Sequence, residues 1–436
     1  MAVSLPAMAE IYDEAVALFN ENDPQGARPL FEQAYQEGNK EAALYLGRIA
    51  FMDYDFPAAS QWYATFRKET GISDASHVAD SERQLKSAQR LLERVQKIVI
   101  LDSITVNRDE LLDHYRLPKS AGRLLTPEEI AATIGMEFDG LGPGYSNEFG
   151  DLMIWSMTDS VGNQRIMESS RLIDGSWSDP LWASAVLNGS EVTDEYEELT
   201  AYNALYPFLL DDGQTLYYAS DNQESIGGLD IFLATRSSST GDYLKPSNMG
   251  MPFNSPDDDY MLAIDQLNGI GWWATDRNHL GDLTTIYVYV LPDARENIPE
   301  DADPVVSARI DDFHEWWTDE NADKIAELKA LIEEMDPDPF RTADFTLPVP
   351  VGGYYSYWSD FKNSRASDAM KSYLDFAGEL NTKEQELRQL RKAWSEGRKD
   401  DRTRGKIVQL ENEVEKLRGK VKNQLSEVYK LEFSIK

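Results

Sequence analysis

Apolar residues recur every three to four positions over residues 10–70, the spacing of helices with one buried face. Ile11, Ala15, Leu18 and Phe19 form the first stripe. Asn22-Asp23-Pro24 ends that helix and starts a second, which carries Ala27, Phe31 and Ala34. Gly38-Asn39 tolerates the left-handed conformation of a helix end and breaks the second. Two more stripes follow: Ala43, Leu46, Gly47 and Ala50, then Ala59, Tyr63 and Phe66. The pair Ala27 and Phe31 returns at the same spacing as Ala59 and Tyr63. Small residues where helices cross, with large ones in the adjoining gaps, predict stacked helical hairpins. A last stripe over 79–96 (Leu85, Ala88, Leu91, Leu92, Val95) closes the stack, so residues 10–96 read as a helical-repeat region.

From about Val99 to Val290 the pattern changes to short alternating runs broken by Gly, Asp, Asn and Ser. Three stretches repeat one order: a turn, a strand, an Asp-containing loop and a second strand. Gly150-Asp151 leads into LMIWSMTD and then GNQRIMESSRL; Asp212-Gly213 into LYYASDN and GGLDIFLATR; Asn268-Gly269 into GWWATDRN and GDLTTIYVYV. The turn glycines Gly150, Gly213 and Gly269 fall at broadly even intervals. One such unit cannot bury both faces of its small sheet, so neighbours must stack. Arranged in a ring they give a β-propeller over 97–361, with four blades and a fifth drawn from 98–140 or 345–361.

Two resemblances attach to these residues. The segment ALYLGRIAFMDYDFPAASQWYATF (43–66) is similar to tetratricopeptide and Sel1-like repeats, which implies a groove for peptides or partner helices. The stretch from Pro207 to Ile231 resembles the PD40 family, the TolB-like relatives of WD40 propellers. Asp212, Gly213, Tyr218, Ser220, Asp221, Gly227, Gly228 and Asp230 carry that match, and the resemblance implies a propeller blade. On the residues alone their roles are structural. Gly213 supplies a turn, Asp221 and Asp230 bond to loop amides, and Gly228 lets a neighbouring backbone approach.

Beyond the repeats, residues 312–336 read as a helix and 364–436 as a charged helical arm. Leu380, Leu387 and Trp394 recur at sevens. GRKDDRTRG (397–405) breaks the helix, and Ile407, Leu410, Val414, Leu417 and Val421 then form a heptad seam, with Gln424 at one seam position. The arm is either an antiparallel hairpin, which the short break favours, or half of a homomeric coiled coil through which the chain self-associates. The fold class expected is thus multidomain α and β: helical repeats, a central propeller and a C-terminal hairpin or coiled coil.

Charge narrows the partners. The 436 residues carry 42 Lys/Arg and 77 Asp/Glu, a net −35 that repels phosphate backbones and argues against nucleic acid. Residues 383–436 hold 15 basic and 10 acidic side chains, so the remainder carries −40. With no cysteine, disulfides and thiolate sites are excluded. No run reaches the roughly 20 apolar residues of a membrane span. Ala7-Met8-Ala9 after a short apolar stretch looks like the end of an export signal, which makes residues 1–9 a signal remnant, the alternative being an ordinary terminus.

No cofactor, metal or catalytic site is expected. The four histidines (His77, His114, His279, His314) lack metal-ligand spacing, and no phosphate-binding loop or nucleophile elbow occurs. Asp257-Asp258-Asp259 is dense enough for calcium but lacks an alternating ligand pattern, which favours a solvated or turn-capping role. The order of helical repeats, PD40-like units and arm resembles envelope proteins of the Bacteroidota, some in type IX secretion and gliding. That resemblance implies a protein-binding scaffold with protein partners, periplasmic or outer-membrane-associated, here with no trace of the peptidoglycan-binding domain such proteins often carry. The alternative is a glycan-acting hydrolase or lyase using carboxylates at the propeller mouth.

Overall fold

The computed structural model describes residues 5–71, 76–135, 140–189, 202–335, 345, 347–350, 354–355, 357–395 and 401–433. It divides into two compact units, Met1–Phe340 and Arg341–Lys436.

The first unit begins with five helices: α1 (Leu5–Asn20), α2 (Pro24–Gln36), α3 (Ala42–Met52), α4 (Phe56–Thr70) and α5 (Ser76–Leu92). The repeat is written into the starts of α2 and α4. Asp23 caps α2 by accepting from Gly26 N (2.8 Å), and Asp55 caps α4 by accepting from Ala58 N (3.0 Å). The residue before each cap, Asn22 or Tyr54, is left-handed (φ 60° and 61°). Ala27, Phe31, Ala59 and Tyr63 are all buried. A Cβ on Gly47 would lie 2.4 Å from the Tyr63 ring, so only glycine lets α3 meet α4 this closely. The export-signal expectation concerns residues 1–9, of which 1–4 lie outside the described residues.

The strands follow. They are β1 (Ile100–Asn107), β2 (Arg123–Leu125), β3 (Gly144–Ser146), β4 (Leu152–Thr158), β5 (Gln164–Ser170), β6 (Leu181–Trp182), β7 (Ala204–Leu209), β8 (Thr215–Ser220), β9 (Asp230–Thr235), β10 (Ser247–Asn248), β11 (Asp259–Asp265), β12 (Ile270–Thr275) and β13 (Leu283–Val290). The short helices α6 (Pro127–Ile134) and α7 (Ala185–Asn188) interrupt them, and α8 (Pro304–Arg309) and α9 (Ala322–Glu334) close the unit.

Each repeat forms its own antiparallel sheet, but no ring results. The first sheet has the order β2-β3-β4-β5-β6, the second β10-β9-β8-β7 and the third β1-β13-β12-β11. These are three separate sheets, none closed into a barrel or propeller, so the expected β-propeller is corrected to three packed sheets. The reason lies in where the extra segments go. Residues 98–140 make no blade: β1 joins β13 of the third sheet and β2 joins β3 of the first. Residues 345–361 belong to the second unit. The sheets pack together through β7, which meets β3, β4 and β5, and β11, which meets β7, β8 and β9. Trp155, Trp272 and Trp273 are fully buried, and Tyr145 meets Phe208 edge-on at 5.0 Å.

The helical array shares its core with the sheets. Phe51, Tyr54, Phe56, Val78 and Leu85 cluster with Ile226 and Met251 from loops of the second and third sheets and with Ala308 of α8. The helix expected over 312–336 starts only at Ala322. Before it, turns carry Phe313 and Trp317 onto the sheet core, and Trp317 Nε1 donates to Ile100 O (2.8 Å).

In the second unit, α10 (Ser364–Ser395) and α11 (Asp401–Phe433) pair as a hairpin beside a two-stranded ribbon, β14 (Leu347–Pro348) and β15 (Tyr354–Tyr355). Of the expected seam, Leu410, Val414 and Leu417 are buried, while Ile407 and Val421 are half-buried. Leu387 packs with Leu410 and Val414. Lys383–Glu413, Arg391–Glu411 and Arg418–Glu384, each at 2.7 Å, tie the helices. Gln424 Nε2 reaches Ala369 O at 3.3 Å. The expected break over 397–405 is shorter, since α11 already includes Gly405; residues 396–400 lie outside the described residues.

Candidate functional site

The PD40-like residues lie at the corners of the second sheet. Asp212 accepts from Gln214 N, Thr215 N and Thr215 Oγ1 (2.7, 2.8 and 2.7 Å) around Gly213, whose φ is +66°. Asp221 takes both Asn203 N and Asn203 Nδ2 (2.6 and 2.7 Å), tying the end of β8 to the start of β7. Ser220 is fully buried at the end of β8. Asp230 is buried and accepts from Ile226 N, Gly227 N and Asn248 Nδ2 (3.0, 3.0 and 2.6 Å). Burial pushes its carboxyl up to about 7 against the pull of these donors. A Cβ on Gly227 would lie 2.2 Å from Asp257 O, and one on Gly228 2.0 Å from Asp258 Oδ1, so the loop passes directly over the 255–258 backbone. From the other side α5 holds the same loop: Arg83 donates to Gln223 O, and Gln84 to Gly227 O at 2.5 Å.

The acidic triplet is consumed in the same junction. Asp257 bonds His279 Nε2 (2.8 Å), Asp258 accepts from Leu229 N (2.7 Å), and Asp259 accepts from Ser255 and from Arg277 Nη2 (2.7 Å). Burial opposes a charge on His279, yet the Asp257 bond outweighs it and raises the imidazole. Among the described residues no group of His, Asp or Glu is arranged to hold a metal. His314 packs edge-on against Trp317 at 4.4 Å.

Two features lay outside the sequence reading. Asn188 accepts from Ile166 N and donates to Ile166 O and Ala183 O (2.7, 2.9 and 3.2 Å). Asn254 treats Ile231 in the same way, with Asn248 as its third partner (2.7, 2.9 and 2.8 Å). Each asparagine substitutes for a neighbouring strand beside the second strand of its repeat, β5 for Asn188 and β9 for Asn254. A faint signal was available, because each asparagine follows the second strand of its repeat at a comparable distance along the chain.

The second feature is a pocket of about 260 Å³ between the sheets, lined by Arg108, Asp109, Leu111, Leu112, Pro127, Gly142, Pro143, Tyr206 and Tyr260. Five separate segments meet here, so no local pattern announces it. Tyr206 sits in a bulge of β7 with φ +54°, and Met261 in the matching bulge of β11 with φ +55°. The first bulge turns the Tyr206 ring onto Tyr260, centroids 5.0 Å apart. A Cβ on Gly142 (φ +76°) would lie 2.5 Å from the Tyr206 ring. Tyr260 Oη donates to Asp276 Oδ1 (3.2 Å), and Arg108 Nη2 to Asp276 Oδ2 (2.7 Å). Burial raises Asp276, with Arg108 pulling it down and Asp258 pushing it up; burial also lifts the Tyr206 hydroxyl to about 12.

The first sheet offers a surface rather than a pocket. Its edge hairpin exposes Leu172, Ile173, Leu181 and Trp182, with Val186 just beyond. Strand β6 has no partner on its outer side among the described residues. Comparison with known proteins returned no match to a family model, a curated protein or a solved structure.

Proposed function

We propose that the chain is a non-enzymatic protein–protein interaction scaffold of a cell-envelope assembly, periplasmic or outer-membrane-associated and connected with secretion. The observation that carries it is the edge hairpin, where Leu172, Ile173, Leu181 and Trp182 stand in solvent beside an open strand. Large apolar side chains left in solvent together along one edge favour protein contact, and an open edge adds backbone donors and acceptors for a partner strand. The likeness of 43–66 to tetratricopeptide repeats agrees with this reading, as does the −35 charge with a protein rather than nucleic-acid partner. Among the described residues no helix is long and apolar enough to cross a membrane.

Self-association through the arm is the weaker route. Leu410, Val414 and Leu417 are already covered within the hairpin, so a second chain would have to open it. The glycan-acting alternative placed its carboxylates at the mouth of a closed ring, and three open sheets supply no such mouth. Asp230, Asp257, Asp258 and Asp259 instead hold loops together.

A photo-cross-linking residue at Ile173, introduced in the source cells, is expected to give a discrete protein adduct. That adduct should vanish in a folded Leu181→Glu, Trp182→Glu double variant. No adduct, or one indifferent to the double variant, would overturn the assignment.

A further inference from the structure

The pocket between the sheets combines apolar walls with donors that have no acceptor. Leu111, Leu112, Pro127 and Pro143 face the stacked Tyr206 and Tyr260 rings, enclosing room for a group of side-chain size. Arg108 commits Nη2 to Asp276, and its other guanidinium donors have no hydrogen-bond partner among the described residues. Its side chain is 48% exposed and lines the pocket. The Tyr206 hydroxyl likewise has no hydrogen-bond partner among the described residues. Of the acceptors, Asp276 is held by Tyr260 and Arg108 and Asp258 by Leu229 N, while Asp109 stands exposed in the pocket lining. The pocket therefore asks for an acceptor at one end of its ligand and an apolar body at the other.

The charge of that acceptor follows from the guanidinium. A planar fork matches a carboxylate, and the bond is stronger when the acceptor is ionised. Asp276 and Asp258 stand near Arg108 and Asp109 lines the pocket beside it, so a doubly charged phosphate would meet three further acidic groups where a carboxylate brings a single charge. We propose that this pocket binds an apolar carboxylate, seated on the Tyr206–Tyr260 stack with its carboxyl group on Arg108 and the Tyr206 hydroxyl. Two sources share this chemistry: a free small-molecule acid, or the C-terminal residue of a polypeptide. The site uses segments remote in sequence from the edge hairpin and does not depend on the scaffold reading.

Calorimetric titration of the full chain tests it, with 3-phenylpropionate, N-acetyl-leucine and a hexapeptide ending in leucine, each compared with its C-terminal amide. The acids are expected to bind, and the amides to bind at least about tenfold more weakly. Arg108→Gln should weaken the acids by a similar factor, and Tyr206→Phe by a smaller one. Leu112→Trp, which fills the pocket, should abolish binding; it decides the matter if Arg108→Gln proves unfolded by circular dichroism. A peptide tighter than both small acids identifies a chain terminus as the source, and equal affinities identify a free acid. Acid and amide binding alike, binding that survives Leu112→Trp, or no binding by any probe at roughly millimolar concentration would overturn the proposal.

Discussion

Asn188 and Asn254 do the same work in the first and second sheets, yet their surroundings differ sharply. After Asn254 the chain runs straight into Ser255–Asp259, where Asp259 meets Arg277, Asp257 meets His279 and the 226–228 loop presses from above. Helix α5 and Gln96, which donates to Met249 O at 2.7 Å, cover that junction from the helical side. Around the first sheet the outer hairpin instead turns Leu172, Ile173, Leu181 and Trp182 to solvent. One repeat has been built into an interior and its copy left as a surface. A repeated sequence unit therefore carries its own sheet but not its role, which is set by what packs on its outer edge.

The largest test of that contrast is Arg277. It donates to Asp259 (2.7 Å), Phe253 O (3.0 Å), Ala308 O (3.3 Å) and Thr275 Oγ1 (3.0 Å), and its side chain is 4% exposed. Arg277→Met leaves Asp259 buried without its counter-charge, which costs about 3–5 kcal/mol. Urea denaturation followed by tryptophan fluorescence should show a loss of that size in the N-terminal unit. A loss below about 1 kcal/mol would mean the junction is an ordinary solvated loop.

A smaller effect comes from Asp230, whose carboxyl burial raises to about 7. Between about 4 and that value, the native state keeps a proton that the unfolded chain has released. Its contribution to stability is therefore full at acid pH and is lost as pH rises through about 7, with a slope of up to about 1.4 kcal/mol per pH unit. Asp230→Asn should lower stability by disturbing the three donors that converge there, and should also flatten this slope relative to wild type. Denaturation curves at several pH values between about 4 and 8 would show both. A slope identical in the two proteins would place the native carboxyl in the ordinary range.

How much of this was legible in the sequence follows the range of the forces involved. The helical hairpins could be read because their caps and crossing residues are local, Asp23 with Gly26 and Asp55 with Ala58. The strand-turn-strand units could be read because Gly213 and Asp212 shape the turn among immediate neighbours. Ring closure could not, because the destinations of β1 and β2 depend on pairings that join Ile104 to Ile286 and Leu124 to Tyr145. The pocket was equally hidden. Arg108 and Asp276 are 168 residues apart, and nothing near either announces the other. Asp257–Asp259 was half legible: the run reads as solvated or capping, and Asp258 and Asp259 do accept from Leu229 N and Ser255 N, yet Asp259 lies fully buried against Arg277.

The smallest expected effect sharpens the contrast from the other side. If the edge hairpin is a surface built for a partner, its apolar side chains contribute little to the fold of the free chain. Ile173 stands wholly in solvent and Leu181 is 67% exposed, so Ile173→Ser and Leu181→Thr remove almost no buried area. Each should change stability by less than about 0.5 kcal/mol, as is usual for substitutions away from packed features. A loss of about 2 kcal/mol in the same denaturation measurement would show the hairpin packed in solution. The first sheet would then be a second interior, like its neighbour, and the partner surface would have to be sought elsewhere. A neutral result for these two substitutions beside a large one for Arg277 would separate the two repeats by function, although their asparagine locks are the same.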